Sequence, residues 1–149
     1  MKTVQDDRAP LLRVGQLLPP LVFPLPVYRL IMAAGANRDF NAIHHNTEYA
    51  RTTGAPDMYA NNFLLQGMWE RAVRGAIGLD GRIRSIRGFR MNAFNVAGDT
   101  VVVHGRVERV WRDGPRARVE FELWSENAGR ISVGPGRIEA EVDSNLIAS

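Results

Sequence analysis

The chain has 149 residues, of which 45% are apolar and 23% are charged. This length and composition predict one globular domain and exclude disordered, collagen-like and disulfide-scaffold proteins. The chain has no cysteine, which excludes thiol nucleophiles and cysteine-ligated metal centres. The formal net charge is +3. Basic and acidic side chains are mixed along the chain, so a nucleic-acid partner is not predicted.

The most apolar stretch, residues 17–34, does not predict a membrane span, because four prolines and Arg29 interrupt it. The first seven residues are too acidic for a signal peptide. We therefore expect a cytoplasmic protein with no membrane partner. Residues 1–16 are polar and mixed in charge, which predicts a loose N-terminal arm, and residues 17–149 are expected to form the domain.

The first half of the domain predicts little regular structure. Residues 17–27 favour extended backbone because of their prolines. A short helix is predicted for residues 28–34, ending near Gly35. Residues 35–58 are rich in Asn, Gly and Thr and predict a loop, with one helical turn near residues 47–51.

One long helix is predicted for about residues 59–77. Leu65, Trp69 and Val73 recur at i, i+4 and i+8, and a second apolar row runs beside them. Because the apolar face is wide, we expect most of this helix to be buried.

After Gly81 the apolar period changes from 3.6 to 2, which indicates strands. A turn is predicted at Asp113–Gly114, and a bulge where glycines flank Pro135. A single helix followed by an antiparallel four-strand meander predicts an α+β architecture with the sheet wrapped around the helix. The expected strands are residues 83–91, 100–111, 116–126 and 131–142.

A carboxylate and an imidazole lie five residues apart, at Asp39 and His44, in the polar loop. Such a pair can move protons if the fold brings the two groups together. The alternative is that Asp39 caps a helical turn and His44 only packs. The sequence has no metal-ligand spacing, phosphate-binding loop, dinucleotide fingerprint or nucleophile elbow, so we expect no metal and no cofactor.

The long helix is expected to begin near Asn61 and Asn62, shortly after this loop. The first N–H groups of a helix lack acceptors and can stabilise a developing oxyanion. Met58, Tyr59 and Phe63 are candidates for lining an acyl pocket, and ordinary core packing is the alternative for these types of side chain.

Three arginines, Arg84, Arg87 and Arg90, lie on or near the first predicted strand after the helix. Guanidinium groups suit phosphates such as those of coenzyme A. The alternative is that these side chains form a solvated strand edge.

The segment Asp39-Phe40-Asn41-Ala42-Ile43-His44 resembles the signature of the MaoC-like, or (R)-specific enoyl-CoA hydratase, family. Gly98-Asp99-Thr100-Val101 resembles the strand start that follows in that family. The resemblance covers about residues 20–142. It implies a hotdog fold, in which an antiparallel sheet wraps around one central helix, and dimers whose sheets join edge to edge.

The resemblance implies an enzyme of lipid metabolism, in fatty-acid or steroid degradation, that reversibly adds water in syn geometry to a trans-2-enoyl-CoA. Asp39 and His44 would activate the water and supply a proton to the α-carbon, and Asn41 would hold the loop. The backbone N–H of Asn62 would polarise the thioester carbonyl. No metal or redox cofactor is implied.

The sequence departs from the family pattern at Ala42, where proline is usual, and at Asn61-Asn62, where His-Gly is usual. The Arg38-Asp39-Phe40 and His44-His45 runs are more similar to the small subunits of two-chain MaoC-like hydratases, which act on bulky steroid CoA thioesters. The implied partners are an acyl-CoA and either a second copy of the chain or a non-identical hotdog chain.

Other functions stay open. A hotdog acyl-CoA thioesterase and a non-catalytic thioester-binding subunit of a heteromeric complex are the two alternatives. A dehydratase that acts on an acyl carrier protein is a variant of the hydratase hypothesis.

Overall fold

The computed structural model describes residues 11–148. Its helices and strands, in chain order, are β1 (Leu21–Pro24), α1 (Val27–Ala36), α2 (Thr47–Thr52), α3 (Asn62–Ile77), β2 (Arg82–Arg87), β3 (Thr100–Asp113), β4 (Arg116–Asn127) and β5 (Arg130–Asp143), with 3₁₀ turns at Ala42–His44 and Ser144–Leu146.

The strands form one antiparallel sheet in the order β1-β3-β4-β5-β2, which confirms the predicted α+β class. The predicted order of the meander is wrong at one connection, because β2 pairs with β5 and not with β3. Alternation identifies a strand but does not say which neighbour it pairs with, and the long irregular segment 88–99 lets β2 lie at the far edge. The extended segment also enters the sheet, as edge strand β1 beside β3.

Helix α3 packs against the inner face of the sheet. Leu65, Trp69 and Val73 have no exposed surface, as their spacing predicts. They meet sheet side chains such as Phe121 and Ile138, which are equally buried and belong to the same core. Each such side chain contributes about 1.5–3 kcal/mol on burial. The sheet thus wraps around one central helix, the arrangement of a hotdog fold.

The bulge predicted around Pro135 is present and lies against the central helix. The register of the β4–β5 pair shifts between Leu123 and Ser125. Gly134 has φ +83°, and a Cβ at this position would lie 2.9 Å from the ring of Trp69. Trp69 in turn donates a hydrogen bond from Nε1 to Ser125 Oγ at 2.8 Å. Glycine therefore lets the strand pass the largest side chain of α3.

Helix α3 begins at Asn62, which confirms the start expected near Asn61 and Asn62 but is three residues later than the predicted span of about 59–77. Asn61 is the N-cap, and its side chain accepts a hydrogen bond from the N–H of Leu64 at 2.9 Å. Tyr59 pairs with Val96 as an isolated bridge, so the chain is still extended there. Apolar spacing extends the predicted span back to Tyr59. The side chain of Asn61 caps the N-terminus, so the first helical residue is Asn62.

The predicted loose arm is only partly described, since residues 1–10 lie outside the described residues. Residues 11–16 are not loose. The N–H of Leu12 donates to the carbonyl of Leu146 at 2.7 Å, and that of Gly15 donates to the carbonyl of Val107 at 2.8 Å. Leu12 is buried in the core. The apolar residues of this short segment, Leu11, Leu12 and Val14, are too few to give a periodic signal for this attachment.

Candidate active site

The loop after α1 is shaped by two local features. Arg38 takes a left-handed backbone conformation with φ 55°, which turns the chain out of the helix. Asn41 then caps the 3₁₀ turn, since its Oδ1 accepts a hydrogen bond from the N–H of Ile43 at 3.2 Å. The cap of this turn is therefore Asn41 and not Asp39, and the Asp39 carboxylate is left for other contacts.

Asp39 and His44 lie in direct contact. Nε2 of His44 is 3.0 Å from Oδ2 of Asp39. The imidazole is buried, whereas the side chain of Asp39 keeps 29% of its surface exposed. One end of the pair is thus enclosed by protein, and the other end can be reached from solvent.

The second ring nitrogen of His44 is held by the backbone. Nδ1 lies 2.8 Å from the carbonyl oxygen of Tyr59. A carbonyl can only accept, so Nδ1 carries a proton. A neutral imidazole has only one N–H, and therefore the Nε2 contact with Asp39 is a hydrogen bond only when the pair holds one further proton. The pair can therefore take up a proton, held between Nε2 of His44 and Oδ2 of Asp39, and release it again.

Tyr59 packs beneath the histidine. Its ring meets His44 edge-on, with centroids 5.6 Å apart, and its other side lies 4.8 Å from the ring of Phe94. The N–H of Tyr59 donates to the carbonyl of Ile43 at 3.2 Å, so the two backbone segments are held from both directions. Tyr59 was predicted to line an acyl pocket, and in the structure it supports the imidazole.

The N-terminus of α3 follows directly. Asn61 binds the N–H of Leu64 through its side chain and that of Leu65 through its carbonyl. Within residues 11–148 the N–H groups of Asn62 and Phe63 have no acceptor, as expected for the first turn of a helix. Two donors and the positive end of the helix dipole therefore lie three residues after the carbonyl that holds His44.

Phe63 borders an open groove, which we call the α3 groove. The groove has a volume of about 420 Å³, within the range of about 300–1,000 Å³ for small-molecule sites. Of the three predicted pocket residues, Phe63 lines it, while Met58 packs against the main core. The groove is lined by Phe23, Arg29, Asn37, Phe63, Leu64, Gly67, Met68 and Arg71.

The three predicted phosphate contacts differ in their surroundings. Arg84 binds Glu141, and Arg87 binds Glu120, with Nη2 and Oε2 3.0 Å apart. Both guanidinium groups are therefore engaged by carboxylates of the sheet. Arg90 is exposed and has no carboxylate partner among residues 11–148.

Sequence reasoning missed a hydrogen-bonded pair that shapes the segment before Tyr59. The hydroxyl of Thr47 donates to Asp57, and the N–H of Met58 donates to the same carboxylate. These two donors lower the pKa of Asp57 below its ordinary value. Thr47 and Asp57 are ten residues apart in unrelated local patterns, so no spacing rule identifies them. The carbonyl of Tyr59 was missed for a similar reason, since a backbone group leaves no mark in a sequence.

In the part of the chain that the structure describes, no cluster of three or more His, Asp or Glu side chains could hold a metal ion. Over the same residues, no helix has the length and apolar character that crossing a membrane requires.

The chain is similar to a curated bacterial protein. It is 34% identical over 98 residues to the 3-oxo-4,17-pregnadiene-20-carboxyl-CoA hydratase beta subunit of Mycobacterium tuberculosis (strain ATCC 25618 / H37Rv). The match covers 65% of this chain and 74% of that protein. The chain matches no family model.

Solved structures agree with this similarity. A chain of the ChsH1-ChsH2 complex from Mycobacterium tuberculosis superposes with a TM-score of 0.77 at 27% identity, over 88% of this chain and 98% of that one. The R-hydratase PhaJ1 from Pseudomonas aeruginosa gives a TM-score of 0.73 at 22% identity, over 89% and 83%, a likeness of fold alone. With the hotdog architecture and the similarity over most of the curated subunit, the chain belongs to the MaoC-like hydratase family.

Proposed function

We propose that this chain is the catalytic subunit of an enoyl-CoA hydratase, which reversibly adds water in syn geometry to a trans-2-enoyl-CoA. The observation that carries the proposal is the Asp39–His44 contact of 3.0 Å, with the imidazole held by the Tyr59 carbonyl. A non-catalytic thioester-binding subunit has no need of a buried histidine aligned on a carboxylate.

The proposed chemistry uses these groups in sequence. Asp39 and His44 bind the attacking water and accept its proton as the hydroxyl oxygen bonds to the β-carbon. Electrons of the C=C bond move toward the thioester carbonyl, whose developing negative charge is stabilised by the N–H of Asn62. The proton held by the pair then passes to the α-carbon. The hydroxyl and the hydrogen both come from one water, and the enzyme returns to its starting state.

The substrate we propose is a trans-2-enoyl-CoA with a bulky acyl group of steroid type. The support is the similarity to a subunit named for a pregnadiene-carboxyl-CoA, together with the open groove beside Phe63. Arg90 is the arginine best suited to the CoA phosphates, because Arg84 and Arg87 are paired with carboxylates. That Arg84 and Arg87 contact phosphate remains a prediction.

We further propose a heteromer with a second, non-identical hotdog chain. The support is that the similar curated protein is a beta subunit and that the similar structure is a two-component complex. A homodimer is the alternative, and the mass of the native assembly distinguishes the two.

The test is a spectrophotometric hydration assay on the purified protein, alone and with any co-purifying chain. Loss of the conjugated enoyl-thioester absorbance is followed for a short and a steroid trans-2-enoyl-CoA. Asp39→Asn is the matched control, because it keeps the size of the side chain and removes its charge. We expect turnover by the natural protein and a loss of at least ~10²-fold in the variant, as for removal of a positioned proton-transfer group.

Other results have definite meanings. Release of free CoA thiol without hydration would establish a thioesterase. Binding of the thioester without turnover, in the assembled complex, would establish a binding subunit. Full activity in folded Asp39→Asn would overturn the mechanism.

A further inference from the structure

Helix α3 carries a glycine at a position where packing does not require one. Gly67 lies in the helix interior, where glycine costs roughly 0.5–1 kcal/mol relative to alanine. A Cβ at this position would meet no atom within 4 Å. The backbone is right-handed, so no special conformation demands glycine either. The absent side chain leaves open space, and Gly67 is one of the residues that line the α3 groove.

The groove is lined by residues that neighbour the candidate active site in the sequence. Phe63, Gly67 and Arg71 form an i, i+4, i+8 row, which extends about 12 Å along the helix at 1.5 Å per residue. The row begins one residue after Asn62, whose N–H is the proposed donor to the thioester carbonyl. On the opposite side, the groove reaches Asn37, two residues before Asp39. The lining of the groove therefore comes within one residue of Asn62 and two residues of Asp39 along the chain.

The lining of the groove indicates the chemistry of its ligand. Phe23, Phe63, Leu64 and Met68 supply apolar walls. Arg29 and Arg71 also line the groove, and within residues 11–148 neither guanidinium group is paired with a carboxylate. Arg29 donates one hydrogen bond to the carbonyl of Pro24, which orients its side chain. The combination suits an apolar body with an oxygen acceptor at one end.

We propose that Gly67 is a specificity-determining residue that admits a wide, fused-ring acyl group to the α3 groove, with Arg71 binding an oxygen acceptor at the end of the ring system remote from the thioester. A thin, flexible acyl chain does not need the width that a missing side chain provides. This inference rests on the proposed function for the identity of the reaction, and it adds the place and the shape of the acyl group.

The experiment compares Gly67→Leu with Gly75→Leu in the purified protein or its complex. Gly75 is the control because it lies in the same helix, is exposed, has no atom within 4 Å of a Cβ, and lines the neighbouring cavity beside Leu17 and not the α3 groove. Both changes raise helix propensity, but only the first fills the groove. Values of kcat/KM are measured for a short and a steroid trans-2-enoyl-CoA. We expect the steroid-to-short ratio to fall at least ~10-fold in Gly67→Leu, as for excess bulk in an apolar site, and to change less than twofold in Gly75→Leu.

A binding measurement separates this inference from the proposed reaction. The dissociation constant of an unreactive 3-oxo steroid carboxylate is measured by titration calorimetry for the natural protein and both variants. If no enoyl-CoA is hydrated, the proposed function fails, and a selective loss of steroid affinity in Gly67→Leu still supports the groove. Equal affinities in all three proteins, or no binding by any, would overturn the inference whatever the hydration assay shows.

Discussion

His44 donates a hydrogen bond from Nδ1 to the carbonyl oxygen of Tyr59 at 2.8 Å. This contact decides that Nε2 is the ring nitrogen that faces Asp39, and it places a proton on Nδ1, because a carbonyl can only accept. The orientation of this carbonyl is restrained, because the N–H that shares its peptide plane, that of Ala60, donates to the carbonyl of Asn95 at 2.9 Å. A backbone carbonyl therefore orients the imidazole of His44, as a third side chain does in many acid–base sites.

Replacing His44 by alanine is expected to lower kcat/KM for enoyl-CoA hydration by at least ~10²-fold, because a positioned proton-transfer group is lost. His45→Ala is the matched control. His45 is adjacent and exposed, and its Nε2 lies 3.4 Å from the carbonyl oxygen of Phe40. Equal loss in both variants would point to a general disturbance of the loop and against a special role for His44.

Asn61→Ala is expected to lower the free energy of unfolding by about 1 kcal/mol, the usual cost of removing an N-cap. Asn61→Ser keeps an oxygen acceptor for the N–H of Leu64 and removes a buried Nδ2 that has no partner among residues 11–148. Its loss of stability should therefore be smaller than that of the alanine variant. Urea unfolding measures both, and the reverse order would contradict the capping role.

Gly134→Ala is expected to destabilise the fold more than Gly114→Ala does. Both glycines have positive φ, at +83° and +63°, so alanine is strained at each by roughly 1–2 kcal/mol. Only at Gly134 would the new Cβ lie 2.9 Å from Trp69, whereas at Gly114 it meets nothing. The difference in unfolding free energy should be about 1–3 kcal/mol, the cost of overpacking. A difference near zero would mean that Trp69 moves without cost.

The Thr47–Asp57 pair predicts a pH dependence with a definite sign. Hydrogen bonds from the Thr47 hydroxyl and the Met58 N–H lower the folded-state pKa of Asp57 below its ordinary value of 3.8. Its stabilising contribution is thus fully present above that value and is lost as the pH falls through the folded pKa.

Thr47→Val removes the first of these donors and should raise the pKa of Asp57 toward 3.8. Carboxyl NMR titration measures this change directly. The stability difference between the variant and the natural protein should shrink as the solution is acidified below pH 3.8. A Thr47→Val protein whose Asp57 titrates unchanged would show that the hydroxyl is not the main cause.

Much of the fold was predictable because its signals are local. The row of Leu65, Trp69 and Val73 identifies the buried face of α3 from spacing alone, and the glycines around Pro135 identify the bulge. The pairing of β2 with β5 was not predictable in this way, since Ile86 meets Ile138 across a long stretch of chain. Alternation in β2 is the same whichever strand lies beside it.

The candidate site shows the same division. Asp39 and His44 are recognisable because they lie in one short loop. The pairing of Arg87 with Glu120 joins residues 33 apart, so a phosphate contact and a structural ion pair look alike in the sequence. The distinction depends on the sheet register, which brings Glu120 opposite Glu139 and both near Arg87.

Leu12 accepts a hydrogen bond from the N–H of Ala148 and donates one to the carbonyl of Leu146. The first and last segments of the described chain therefore pair in parallel, with Leu12 opposite Ile147. Opening of either segment removes the partner of the other, so both should exchange their amide hydrogens as a single cooperative unit. Proteolytic removal of the segment around Leu12 would therefore loosen the segment around Leu146, and the reverse.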